Sequence, residues 1–410
     1  MNIASFIAKR IAFSQEKSFS RFIIRLATAA TILSVAVMIV AMAITNGFQF
    51  TISQKIFSFW GHIRVQHFES GKISSSEEAA IEKNDTVTQV LKNSAAIQSI
   101  NVYATKNAIL KTSETIEGVL FKGVEKGYRF NQLEQFLKQG RWVNFPDSGY
   151  SNEIVLSAYT ASQLKLKIND PVFIYFIQTD GSAPRARKLT LTGIYKTGIE
   201  EYDKFIAIGD IRLIQRLNNW KPNQIGGYEV FLKDYHQTDK VNDELFKDLP
   251  AAWASRSIKE INPNIFDWLN LQDTTIILVL VIMTIVAVLN LITCLIILVL
   301  ERTRMIGILK ALGTPNLSIQ KIFLYHGAMI TVSGIALGNL FALLLCWLQQ
   351  HYGLIKLQED MYYISKVEIR SEWWHFLLVD TGTFGVCLLV LIIPTLVIRR
   401  IQPVRAIQFR

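Results

Sequence analysis

Only three of the 410 residues are cysteine, and Cys294, Cys346 and Cys387 all fall inside long apolar runs. The large segment Asn46–Asp273 has none, which excludes a disulfide framework there; that segment must fold on a core of its own. Charge is also scarce, at 19% of residues against 50% hydrophobic. No G-x-x-x-x-G-K-[ST] phosphate loop occurs, so the chain itself is not expected to hydrolyse nucleotide. The six histidines, His62, His67, His236, His326, His351 and His375, form no H-E-x-x-H and no ligand spacing with cysteine. Gly-x-Ser-x-Gly is missing, and no serine–lysine or paired-aspartate pattern stands in the apolar runs. The expectation is a chain without catalysis, metal or cofactor of its own, whose work is driven from elsewhere.

What the sequence has is four apolar runs. The first, Leu26–Ile44, is long enough to cross a bilayer core, about 28 Å at 1.5 Å per residue. Ala41-Met42-Ala43 resembles a signal-peptidase site, but the run is longer than a signal h-region, so an uncleaved anchor is expected. The others are Ile276–Leu300, Ile322–Leu348 and about Phe376–Ile398. The net charge of +10 maps onto three short stretches beside these runs. Residues 1–25, 301–321 and 399–410 hold 13 basic and 2 acidic residues, which leaves 30 basic and 31 acidic for the rest. This is the positive-inside pattern, not a basic face, and it excludes nucleic acid as a partner. The loop His351–Glu372 is slightly acidic and flanked by Trp347, Trp373 and Trp374, so it belongs outside with an interfacial aromatic belt. The fold class is therefore membrane α-helical, with four transmembrane helices, both termini cytoplasmic, and a large α+β extracytoplasmic domain between helices 1 and 2. The expected division is 1–25, cytoplasmic; 26–47, 274–300, 322–348 and 375–398, spans; 48–273, external domain with stalk helices; 301–321, inner loop; 349–374, outer loop; 399–410, tail.

The external domain reads as mixed. Ile63–Phe68, Asn101–Lys111, Glu153–Leu156, Val172–Ile177, Lys188–Tyr195 and Tyr228–Leu232 have strand patterns. Thr86–Ile97, Phe130–Leu137, Asp210–Leu217 and Lys240–Phe246 read as helices, and the whole as two lobes. The first span continues through Ile52, Ile56, Phe57 and Phe59 as a stalk ending near Trp60. Thr179–Pro184 is a turn cluster at a hairpin tip, with Pro184, Arg185 and Arg187 on a basic side; it is either a solvated loop or a partner-contacting tip. Within the spans, Asn290 calls for an interhelical hydrogen bond, and Ser333, Gly334 and Gly338 for close helix contact. Asp380 lies shallow enough for an interfacial place, and Pro394 suits a kink.

The inner loop Leu300–Phe323 organises the rest. Met305, Ile308, Leu309 and Leu312 recur at helical spacing, while Glu301, Arg302, Arg304 and Lys310 hold the segment at the surface. Gly313 stops the helix, Thr314 can cap the next, and Pro315 suits its first position. Two readings stand: an ordinary hairpin, or a lever that docks on a soluble partner.

Three stretches carry a family resemblance. They are Ala43–Phe48; Leu289–Thr293 followed by Glu301–Gly313 (ERTRMIGILKALG); and Pro394 through Arg399-Arg400-Ile401-Gln402-Pro403-Val404-Arg405-Ala406-Ile407-Gln408-Phe409. The pattern resembles the permease subunits of lipoprotein-releasing ABC transporters, within a broader group that includes macrolide exporters and a division-linked permease. The resemblance implies a dimer of permeases with a separate ATP-binding ATPase, contacted by Glu301, Arg302, Arg304, Met305, Ile306, Gly307, Ile308, Leu309, Lys310, Leu312 and Gly313. It implies acyl chains of a lipoprotein substrate against Met38, Met42, Asn46, Phe48, Ile276, Leu278 and Ile282. It also implies a soluble lipoprotein chaperone, which would meet Pro184, Arg185 and Arg187, although the turn at about Ile177–Lys188 is shorter than the family's recruiting hairpin. A signalling permease that switches a cell-wall hydrolase, and an exporter subunit for peptides or drugs, share the same architecture and stay open at this point.

Overall fold

The computed structural model describes residues 19–68, 80–112, 115–178 and 181–395. Most of the basic end segments, and Thr179 and Asp180 of the expected tip, lie outside the described residues. Two compact units result. One comprises residues 19–50, 268–356 and 366–395; the other comprises Thr51–Asp267 with Leu357–Ser365.

Helix α1, Phe19–Trp60, is one unbroken helix of 42 residues. At 1.5 Å per residue it is about 63 Å long, twice the hydrocarbon thickness. It ends at Trp60, as expected, because Gly61 takes a left-handed φ of 72° and its N–H closes on the Phe57 carbonyl.

The extracytoplasmic unit begins with β1 (Ile63–His67), β2 (Ile81–Glu82), α2 (Asp85–Asn93), β3 (Ile97–Lys111) and β4 (Ile116–Val124). Then come β5 (Leu137–Gly140), β6 (Glu153–Ser157), α3 (Ala158–Gln163), β7 (Pro171–Phe176), β8 (Arg185–Tyr195) and α4 (Glu200–Phe205). The unit closes with β9 (Ile206–Asp210), α5 (Ile211–Leu217), β10 (Gln224–Ile225), β11 (Gly227–Leu232), α6 (Thr238–Asp248), β12 (Trp253–Ser257) and α7 (Ile258–Ile261). One mixed sheet runs through it in the order β12-β1-β11-β3-β4-β9-β6-β8-β5, with β7 pairing both β3 and β8. In place of the expected two lobes, ten strands join in this sheet around the long strand β3, and β2 and β10 form a separate two-stranded pair. Val102, Ala104, Ala108 and Leu110 of β3 enter one apolar core with Phe121, Ile174, Phe176 and Leu189. The two-residue alternation places buried Tyr103 and Thr105 on the opposite face. Helix starts are set by side-chain caps: Asn84, Ser157, Asp210 and Ser257 each accept a backbone N–H of the first turn.

Two helix expectations change here. Phe130–Leu137 is two short 3-10 turns, because Leu137 pairs with Tyr195 as the start of β5. The expected helix Thr86–Ile97 stops at Asn93, since Ile97 opens β3 and pairs with Leu232. Strands β2, β4, β5, β9, β10 and β12 add to those the sequence predicts.

The membrane unit contains the first part of α1 together with α8 (Pro263–Glu301) from Trp268 onward, α9 (Thr303–Ala311), α10 (Asn316–Tyr352) and α12 (Trp373–Thr395); α11 (Glu359–Tyr362) belongs to the other unit. Among the described residues, four helices are long and apolar enough to span. Gly334 and Gly338 let α10 close on α1: a Cβ on either would meet Thr31 at 2.6 Å or Val35 at 2.9 Å. Asn290 Nδ2 donates to the Ala27 carbonyl at 3.0 Å, the interhelical bond its burial in hydrocarbon requires. Asp380 accepts from Asn339 Nδ2 at 2.8 Å, which joins α12 to α10. Trp347, Trp373 and Trp374 are exposed at the helix ends, where an aromatic belt places them.

Candidate functional site

Helix α9 is separated from α8 by one non-helical residue, Arg302, at φ −97° and ψ 16°. It stops in a Schellman turn. The Thr314 N–H reaches the Leu309 carbonyl and the Gly313 N–H the Lys310 carbonyl, each at 3.0 Å, with Gly313 at φ 84°. Thr314 does not cap the following helix. Pro315 occupies the cap position in an extended conformation and Asn316 is the first helical residue, one place later than expected.

The apolar stripe of α9 divides in two. Ile306 is fully buried with Ile319, Ile322 and Phe323, and Met305 and Leu309 pack against the same cluster. Gly307 is buried as well, which leaves the other side of the helix to present Arg304, Ile308 and Leu312. Ile308 is 45% exposed and Leu312 76%. Two large apolar side chains held open beside a rigid turn make a short ridge suited to a groove on another protein. Glu301 and Gly313 are exposed, and Arg302 and Lys310 are half-buried. Partial burial lowers the Lys310 ammonium pKa from its ordinary value.

The expected acyl-contact residues also separate. Met38 is buried in a cluster with Val35 and Ile39, and Met42 packs partly against it; Thr284 Oγ1 lies 3.7 Å from the Met38 sulfur. Leu278 and Ile282 are exposed on α8, while Ile276 is half-buried. Asn46 Nδ2 sits 3.5 Å from His375 Nε2, and Phe48 meets Trp268 edge-on at 5.4 Å. Thus α8 keeps its open apolar side, whereas Met38, Asn46 and Phe48 have partners within this chain.

At the hairpin, Pro184 is exposed. Arg185 Nη1 donates to the Leu217 carbonyl at 2.6 Å and so braces β8 on the end of α5. Arg187 Nη1 turns back to the Ala186 carbonyl at 2.8 Å. Of the three, Pro184 stands clear of such contacts.

Sequence reasoning missed two polar constellations in the extracytoplasmic unit. Lys122 and Glu229 form a wholly buried ion pair at 2.6 Å, and Lys122 Nζ also donates to the Phe59 carbonyl at 2.5 Å. A lysine inside the apolar run Val119-Leu120-Phe121-Lys122 was the available signal. In the second, Lys55 Nζ donates to the carbonyls of Thr197 and Tyr363, both at 2.6 Å, and Lys196 pairs with Glu359 at 2.5 Å. The Asp203 carboxylate fixes that turn by accepting the Thr197 and Gly198 N–H groups at 2.9 Å. These bonds clip residues 357–365 onto the domain.

Four spans with a sheet domain inserted after the first, and a small surface helix between the second and third, define a permease-type membrane subunit. Residues 26–246 match the family model described as MacB-like periplasmic core domain, and residues 277–403 match FtsX-like permease C-terminal. The chain belongs to this MacB-like, FtsX-like family of ABC transporter permeases, and is a multi-pass inner-membrane protein with a periplasmic domain. It is 22% identical to the lipoprotein-releasing system transmembrane protein LolE of Haemophilus influenzae, with 99% of each chain covered. It is 20% identical to the protein of that system named LolC in Xylella fastidiosa, and 22% identical to LolC of Neisseria meningitidis serogroup B, with 96% of each chain covered in both cases.

Proposed function

We propose that this chain is the non-catalytic permease subunit of an ABC transporter that couples ATP hydrolysis by a separate ATPase to extraction of lipoproteins from the inner membrane for transfer to the outer membrane. The observation that supports this most is similarity over nearly the whole length to relatives named as parts of a lipoprotein-releasing system. ATP binds the partner, and this chain needs no cofactor of its own. The ridge of Ile308 and Leu312, flanked by Arg304, docks on the ATPase as a helix in a groove. A second permease, identical or related, covers the open side of α8 around Leu278 and Ile282, and acyl chains lodge between the two near Met42 and Ile276. Each buried methylene holds an acyl chain by about 0.8 kcal/mol, so extraction of a multi-chain lipoprotein requires coupled work. The unbroken helix α1 delivers that work outside the bilayer, where a soluble chaperone receives the product beside Pro184.

Depletion of the chain, followed by proteomics of separated inner and outer membranes, tests the reading. Lipidated outer-membrane proteins are expected to accumulate in the inner membrane. Unchanged distribution of every lipidated protein would remove lipoprotein extraction and leave signalling or export of another cargo.

A further inference from the structure

The last turn of α1 ends in a cage of charge and aromatic rings. The Phe59 carbonyl is one of the helix-terminal acceptors with no partner within its own helix. Lys122 of β4 supplies the donor at 2.5 Å, at the end of the helix where the dipole favours a cation. The same ammonium is 2.6 Å from Glu229 of β11 and 4.4 Å from the Trp60 ring centre. The Arg64 guanidinium of β1 covers Trp60 at 3.8 Å, and the Tyr128 hydroxyl donates to Glu229 at 3.4 Å. Lys122 and Glu229 are 1% and 0% exposed. One helix end is therefore fixed to three strands, β1, β4 and β11, through directional contacts in a site closed to water.

Stability does not account for this arrangement. A buried ion pair gains little over apolar side chains of the same volume, because desolvation offsets the attraction, whereas loss of one partner strands the other charge. What the pair adds is direction. Apolar side chains would fill the volume but leave the helix end free to rock, while an ammonium shared between a helix carbonyl and a strand carboxylate fixes both distance and angle.

We propose that Lys122 and Glu229 are positioning residues that form the joint through which displacement of α1 is passed to the periplasmic sheet. The proposal rests on the reading of this chain as the force-transmitting permease of a lipoprotein-releasing transporter, and it assigns the residues that make the transmission stiff.

The test uses the full chain in its complex with the ATPase, reconstituted in lipid nanodiscs. The single variant Lys122→Met leaves Glu229 unpaired and is expected to unfold the domain. The double variant Lys122→Met/Glu229→Leu removes both charges and is expected to keep the native circular dichroism and melting temperature. In that folded variant, release of lipoprotein per ATP hydrolysed falls about tenfold, within the usual range of a lost coupling, while ATP turnover persists. A second readout does not depend on cargo. Spin labels at positions 51 and 162, on a chain whose three cysteines are replaced by alanine, give a narrow distance distribution with the native pair and a broad one in the double variant. Should the double variant not fold, the width is read in Lys122→Arg, whose larger head keeps the charge but not the single-point contact with Phe59. Unchanged width and unchanged release in a folded double variant, or unchanged width in a folded Lys122→Arg, overturns the proposal. Absence of lipoprotein release from the native complex overturns the functional reading alone, because the distance distribution still reports on the joint.

Discussion

Gly47 of α1 lies against the main chain of Glu368, so that a Cβ at position 47 would come within 2.2 Å of the Glu368 carbonyl oxygen and 2.9 Å of the Arg370 nitrogen. The Arg370 N–H donates to the Ala43 carbonyl at 3.0 Å, and its guanidinium covers Phe50 at 3.8 Å. The outer loop is thereby laid along about two turns of α1, and the glycine of Asn46-Gly47-Phe48 is explained by that approach. Gly47→Ala sets two effects against each other. Helix propensity favours alanine by about 1 kcal/mol, but the clash is with backbone that cannot rotate away, and overpacking of this kind costs about 1–3 kcal/mol. The expected outcome is a lowered melting temperature and faster proteolysis within 353–372. Gly385→Ala on α12, where an added Cβ meets nothing within 4 Å, is the control: with no clash to oppose helix propensity it should raise the melting temperature slightly and leave proteolysis within 353–372 unchanged.

His62 makes the periplasmic domain sensitive to acid. It is buried, and desolvation lowers its pKa to about 4, with the Asp234 charge opposing weakly. Its Nδ1 accepts the Leu232 N–H at 3.0 Å, which requires the neutral ring. The folded state therefore binds the proton less readily than the unfolded chain, whose histidine titrates near 6.5. The stabilising contribution is complete above about pH 6.5 and is lost as pH falls from there to about 4, a change of about 3 kcal/mol. Melting temperature recorded against pH should fall across this window. His62→Gln, which can still accept the Leu232 N–H but does not titrate, should flatten the slope; an identical slope would show that another group carries it.

Features set by local periodicity were legible in the sequence, and those set by distant pairing were not. The four spans and the turn at Gly313 follow from residues within a few turns of one another, and Asn290, Gly334 and Gly338 signalled interhelical contact without naming their partners Ala27, Thr31 and Val35 on α1. The run Phe130–Leu137 has apolar residues at helical spacing, yet pairing of Leu137 with Tyr195 overrides it. Strand β4 was hidden because Lys122 breaks its apolar pattern, and that lysine is tolerable only through Glu229, far along the chain. The stripe on α9 was visible, but not which side of it packs, since that depends on Ile319, Ile322 and Phe323 of α10. In the same way the buried place of Met38 is decided by the helices around it.

The clip on residues 357–365 can be tested by exchanging its charges. Lys196 is 42% exposed and Glu359 26%, so the pair contributes about 0.2–1 kcal/mol and should hardly move the global melting temperature. Its effect is local. Glu359→Lys places three cations together, with Lys55 and Lys196, and should raise hydrogen exchange in 357–365 about several-fold while the core strands keep their protection. Lys196→Glu/Glu359→Lys restores opposite charges and should bring exchange back toward the native rate. No recovery in the double variant would mean that Lys55 and its two carbonyl bonds hold the segment unaided.

The two sides of α9 predict opposite consequences for the same chemical change. Ile306 is completely buried, so Ile306→Asp forces a carboxylate into the packed membrane unit, and loss of fold or expression is expected, at a cost of several kcal/mol. Ile308 is open, so Ile308→Asp should leave expression and melting temperature close to native. If α9 docks in a groove, that buried contact in the complex loses a large apolar anchor and gains an unpaired charge. The expected result is loss of ATPase from the affinity-purified chain, with affinity weaker by about 2–4 kcal/mol, or about 30-fold or more. Leu312→Asp should behave in the same way, because it shares the exposed side with Ile308. Quantitative co-purification, paired with a thermal melt of each variant, separates the outcomes. Full retention of the ATPase by folded Ile308→Asp and Leu312→Asp would place the docking surface elsewhere on the inner face.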